Sequence, residues 1–149
     1  MNSLRERLDK AFKEAMKNKQ AVALSTLRML KTAVRHREVE LKRPVTEGEL
    51  QTVISTQAKQ RREAMAEYTK ARRPELAKKE EEELDFLLSF LPPQLSPEEC
   101  DAEVARIIQE VGASGPKDLG KVMKAAMARL AGQADGKVIQ EIAKRCLSA

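Results

Sequence analysis

The chain has 149 residues, 42% of them hydrophobic, which suits one ordinary folded domain or two small ones. Its charged fraction of 34% and net charge of +5 favour helices with one buried stripe, and acidic partners. Aromatic residues are scarce (Phe12, Tyr68, Phe86 and Phe90), which excludes an aromatic core and argues against RNA binding by stacked bases.

A first helix starts at Asn2 or Ser3, where Ser3 and Glu6 have capping-box spacing. Leu4, Leu8, Ala11, Phe12 and Ala15 form its buried stripe, and Lys17 to Lys19 break it. A second helix runs from about Gln20 to Lys42, with Leu27, Leu30, Val34 and Leu41 inward and Arg28, Lys31, Arg35 and Lys42 along its flank. Pro44 ends it. Thr46 and Glu49 make a second capping box, opening a long helix with Lys59, Arg61 and Arg62 at its middle. Pro74 opens a fourth helix with Leu84, Leu87 and Leu88 on its apolar side. Its run Glu80 to Glu83 reads as a solvated surface, because four consecutive carboxylates point all round a helix and cannot converge on one ion.

Pro92 and Pro93 fix an extended backbone and mark the clearest boundary in the chain. A third capping box follows at Ser96 and Glu99, with Pro97 at the first helical position. Val104, Ile107, Ile108 and Val111 form that helix's stripe, and Gly112 stops it. A helix over 116–131 buries Leu119, Val122, Met123, Ala126 and Leu130 and carries Lys117, Lys121 and Lys124 on the opposite face. Gly120 permits close backbone approach there. Asp135 caps a last helix containing Lys137, Val138, Ile139, Ile142 and Leu147. No alternating β pattern occurs. The fold is all-α: a lobe of about four helices over residues 1–91, then a three-helix lobe over 96–149.

Residues 1–43 hold 12 Lys or Arg against 5 Asp or Glu, so the positive field comes from the first two helices. No phosphate loop, dinucleotide fingerprint, GxSxG or HExxH motif is present, so the residues name no cofactor, no metal and no catalytic group. His36 reads as solvent-facing. Cys100 sits at a helix start, but Glu98, Glu99 and Asp101 oppose a thiolate; it reads as a packing or surface thiol, and Cys146 as a core one. With no apolar leader and no membrane-length run, the expected location is cytoplasmic.

The stretch GASGPKDLGKVMKAAMARLAGQADGK, Gly112 to Lys137, resembles the tail domain shared by the GatB subunit of glutamine-dependent tRNA amidotransferase and the YqeY-like proteins. Thr26 to Val34 (TLRMLKTAV), Lys59 to Met65 (KQRREAM), Glu80 to Glu83 and Phe90 to Ser96 (FLPPQLS) extend the resemblance over nearly the whole chain, in the stand-alone YqeY-like form. Departures are Lys124 and Arg72, where glycine is usual, and Gln133, where a basic residue is common.

The resemblance implies an accessory that contacts tRNA while chemistry lies elsewhere. It also carries an amidotransferase label (a carbon–nitrogen ligase using glutamine as amido-nitrogen donor) that none of these residues supports. The expected function is therefore a non-catalytic module for tRNA or other structured RNA. Lys117, Lys121, Lys124 and Lys137 lie along phosphates, the helix starts near Pro116 and Gly136 offer N–H groups to them, and Arg28, Lys31, Arg35, Lys59, Arg61 and Arg62 add positive charge. The bland alternative is that the lysines are simply a wet face. A competing class is a protein-interaction adaptor, or an accessory factor partnering an amidotransferase or aminoacyl-tRNA synthetase.

Overall fold

The structure, a computed structural model, describes residues 3–148. These form seven α-helices and one 3₁₀ turn, with no strand among the described residues, so the fold is all-α. The described residues divide into two compact units between Pro92 and Pro93. The first holds α1 (Leu4–Lys17), α2 (Ala21–Leu41), α3 (Glu47–Lys70) and α4 (Pro74–Leu88). The second holds α5 (Pro97–Val111), the 3₁₀ turn Pro116–Asp118, α6 (Leu119–Leu130) and α7 (Gly136–Ser148).

All three capping boxes form. Ser3 Oγ accepts from the Glu6 N–H while the Glu6 carboxylate accepts from the Ser3 N–H, both at 3.2 Å. Thr46 with Glu49 and Ser96 with Glu99 repeat the exchange. Each box satisfies two backbone donors. Asn2, the other candidate start for the first helix, lies outside the described residues. Three helices are followed by a non-glycine residue in the left-handed region: Lys19 (φ 53°), Lys42 (φ 57°) and Arg72 (φ 57°). All three are basic and sit where the helix dipole favours a cation. Arg72 thus holds the conformation that explains why glycine is usual at its place in the resemblance.

The first unit's core draws Leu4, Leu8 and Ala15 from α1, Leu27 and Leu30 from α2, and Leu50 and Ile54 from α3. Leu87 of α4 and Phe90 just beyond it complete the cluster. The second unit's core is Cys100, Val104 and Ile107 of α5, Val122, Ala126 and Leu130 of α6, and Ile139, Ile142, Ala143 and Leu147 of α7. The Leu95 N–H donates to the Gln133 carbonyl at 2.9 Å, tying the entry segment of this unit to the α6–α7 loop.

Two local expectations change. The helix expected from 116 breaks into the 3₁₀ turn and α6, because the Asp118 carboxylate folds back to accept from the Ser114 N–H at 2.8 Å. Gly120 faces open space, so no close backbone approach depends on it.

Candidate nucleic-acid interface

In α6, Val122, Ala126 and Leu130 share one buried face at steps of four, and side chains one or two positions from them on the helical wheel turn outward. Lys121 and Lys124 are exposed there, one turn apart, and Lys117 is exposed in the 3₁₀ turn that leads in. Lys137 is exposed in the first turn of α7. The arginines of the same unit are committed: Arg106 pairs with Glu103 at 3.3 Å, Arg145 with Asp101 at 2.6 Å, and Arg129 with Glu110. Among the described residues none of the four lysines has such a partner. The uncommitted positive charge of this unit therefore lies on lysines.

Two carboxylates moderate it. Asp118 lies close enough to Lys117 and Lys121 to feel both. Its carboxyl is held below the usual range chiefly by the Ser114 N–H, with the Gly115 N–H and the two lysines adding to it. Asp135 accepts from the Lys137 N–H at 3.0 Å. The helix starts expected to offer N–H groups to phosphate are thus already supplied with carboxylates of this chain. A helix N-terminus favours an anion of either origin, and the local side chain wins by proximity. What remains for an external phosphate is the ammonium groups.

In the first unit, Arg28, Lys31 and Arg35 are exposed along α2 at steps of three and four. Lys31 Nζ stands 3.7 Å from the centroid of the Phe12 ring. Arg62 is exposed, whereas Lys59 is half-buried. Arg61 departs from the expectation altogether. It is 8% exposed, with Nη1 3.3 Å from Glu80 Oε2, Nε 3.3 Å from Glu83 Oε2 and Nη2 3.1 Å from the Met29 sulfur. It faces the interior of its unit and cannot meet a phosphate.

Glu83 is correspondingly buried and Glu80 half-buried, so only Glu81 and Glu82 fit the expected solvated run. Burial pushes the Glu83 carboxyl above the usual range, against the pull of Arg61. A signal for this cluster exists in the sequence. Leu50, Ile54, Ala58 and Arg61 follow one another at steps of four, four and three, so Arg61 lies on the buried stripe of α3. Glu83 likewise abuts Leu84 and Leu87 on the inner side of α4.

The residues weighed for chemistry are not gathered. His36 is exposed, and among the described residues no group of three or more His, Cys, Asp or Glu is placed to hold a metal ion. Cys100 is buried, and its thiol is pushed up first by burial and then by Asp101 and Glu99. Cys100 thus takes the packing option of its expectation, while Cys146 is half-buried against the core and not fully within it. No described helix is long and apolar enough to cross a membrane.

A family model describing Yqey-like proteins matches residues 5–147. Among curated proteins, the chain is 30% identical over 107 residues to "Altered inheritance of mitochondria protein 41, mitochondrial" of Vanderwaltozyma polyspora, covering 70% of this chain and 58% of the relative. The like-named protein of Lachancea thermotolerans is 29% identical over 112 residues, 73% of this chain and 60% of the relative. That of Pyrenophora tritici-repentis is 28% identical over 135 residues, 89% of this chain and 74% of its own length. The chain thus spans about three-fifths of the first two relatives. Their names overturn the cytoplasmic expectation, since all three are mitochondrial proteins. Mitochondrial import reads amphipathic, arginine-rich segments, which a search for apolar runs does not detect.

Proposed function

This chain belongs to the Yqey-like family, and from that premise we propose that it is a non-catalytic module binding folded RNA of the tRNA kind. The observation that carries the proposal is the division of charge in the second unit. Its arginines are consumed by ion pairs, while Lys117, Lys121, Lys124 and Lys137 stay exposed, with no ion-pair partner among the described residues, around a buried apolar core. Ammonium groups on a stiff scaffold suit phosphate oxygens, which fix register without reporting base identity. The scarcity of aromatic side chains agrees with recognition by shape. Arg28, Lys31 and Arg35 of α2, with Arg62, add attraction at longer range. Mitochondria hold folded tRNA with the same phosphate chemistry as the cytoplasm, so the proposal does not depend on compartment.

The adaptor reading draws on the large apolar side chains left exposed: Met16, Met29 and Val39 in the first unit, Met127 and Val138 in the second. Scattered exposed apolar residues are ordinary for a folded surface, and they favour it less.

The experiment is titration of tRNA at two salt concentrations against wild type, Lys117→Ala, Lys121→Ala, Lys124→Ala and the triple variant. Each substitution should weaken binding alike for different RNA sequences and lower the salt slope by about one counterion or less. Lys121→Ala is the first choice, because Lys121 lies within the motif that carries the resemblance. If wild type binds no tRNA at low salt, or the triple variant binds as well as wild type, the adaptor reading takes precedence.

A further inference from the structure

In the first unit a half-enclosed cavity of about 230 Å³ lies between α1 and α2, with α3 beneath. Its floor is apolar: Leu8, Leu27, Leu30 and Leu50 are buried, and Val34 is half-buried. Its rim is charged, and the antiparallel register of α1 against α2 orders those charges. Arg5 Nη2 meets Glu38 Oε2 at 3.0 Å at one end, and Lys31 Nζ covers the Phe12 ring at the other. The same register sets Asp9 opposite Arg35. Both line the cavity, both are exposed, and no ion pair joins them, so more than the 4.0 Å of a salt bridge separates them. An unengaged carboxylate and an unengaged guanidinium thus stand on opposite walls above a leucine floor.

We propose that this cavity takes a small zwitterion with an aliphatic side chain, a free α-amino acid of about leucine size. The ammonium lies against Asp9, the carboxylate against Arg35, and the side chain on the leucines. A bare inorganic anion would leave the floor wet and Asp9 uncompensated. A neutral apolar molecule would strip water from both charges without replacing it. The volume is below the roughly 300 Å³ at which drug-sized pockets begin, so the occupant is small. The charges are exposed, so affinity is modest, with a Kd on the order of 1 mM. The proposal stands apart from the RNA reading, although Arg35 serves in both.

The test is titration of the full chain, followed by amide NMR shifts, with L-leucine, with 4-methylpentanoate, which lacks only the amine, and with isoamylamine, which lacks only the carboxylate. L-leucine should give saturable shifts confined to amides around Asp9 and Arg35. Each analogue should bind roughly three- to tenfold more weakly, the span of one exposed charge contact. Asp9→Asn should weaken leucine by that factor and leave 4-methylpentanoate no weaker, since it has no ammonium for Asp9 to meet; Arg35→Gln should weaken leucine and leave isoamylamine no weaker. Both side chains are exposed, so the unfolding midpoints of these variants should match wild type. Absence of saturation by leucine at concentrations about tenfold above that Kd overturns the proposal. 4-Methylpentanoate binding as tightly as leucine also overturns it, since the cavity would then be an anion site alone, and so does an Asp9→Asn variant that binds leucine like wild type.

Discussion

Truncating Arg61 to Ala should destabilise the first unit by about 3–5 kcal/mol. The guanidinium stands 3.3 Å from Glu80 and 3.3 Å from Glu83, and the three side chains are only 9%, 14% and 5% exposed. At an effective dielectric of about 20, each contact supplies about 5 kcal/mol of gross attraction. Desolvation consumes several kcal/mol per ion, so the intact cluster sits near balance. Removing the cation alone loses the attraction and strands two carboxylates. Glu83→Gln should cost about 1 kcal/mol or less, because burial already disfavours its charge and Arg61 Nε, 3.3 Å away, makes no hydrogen bond that the amide would lose. Since Glu83 holds its proton more tightly folded than unfolded, it costs stability as pH rises from the ordinary carboxylate range towards its folded pKa. Glu83→Gln should flatten that slope. Replacing the whole cluster (Arg61→Met, Glu80→Gln, Glu83→Leu) should be neutral or stabilising by about 1–4 kcal/mol. Urea unfolding followed by far-UV circular dichroism orders the variants. An Arg61→Ala cost under about 1 kcal/mol, or a Glu83→Gln cost exceeding it, would refute the reasoning.

Leu130→Ala should cost roughly 2–5 kcal/mol, since Leu130 is 3% exposed in the second core, while Lys121→Ala should leave unfolding unchanged. Arg72→Gly should raise stability by about 0.5–1 kcal/mol in thermal unfolding, because the left-handed backbone strains an L side chain by more than the entropy glycine gives up. Glu49, bonded to Arg43 and to the Thr46 N–H, has its carboxyl pushed down from 4.5 to about 2. Its contribution should be intact above pH 4.5 and lost as pH falls through about 2, and Glu49→Gln should remove that part of the acid dependence, as NMR titration of the carboxyl can verify. Incubated with glutamine, ATP and mischarged tRNA, the pure protein should leave all three unchanged; turnover that co-purifies with it would overturn the non-catalytic proposal.

Helix positions were legible because their causes are local. Three Ser/Thr caps with glutamate three residues on, and Pro74 and Pro97 at first helical positions, act within a single turn. The apolar stripe of α6 and the exposure of Lys121 and Lys124 follow from the 3.6-residue period alone. Which charges remain free was decided only by tertiary packing. Arg61 and Arg62 are neighbours in sequence, yet one is buried against α4 and the other is exposed, because a step of one residue turns a side chain by about 100°. Glu80 and Glu83 belong to a run of four like residues and differ from Glu81 and Glu82 only in facing α3. Asp118 occupies a backbone donor that the sequence leaves open to phosphate, Asp135 accepts from the Lys137 N–H as its cap position predicts, and Asp9 and Arg35, 26 positions apart, share a cavity through the register of α1 on α2. Local energetics set each helix and its face; pairing between charges distant in sequence depends on which faces meet, and that is fixed only when the cores close.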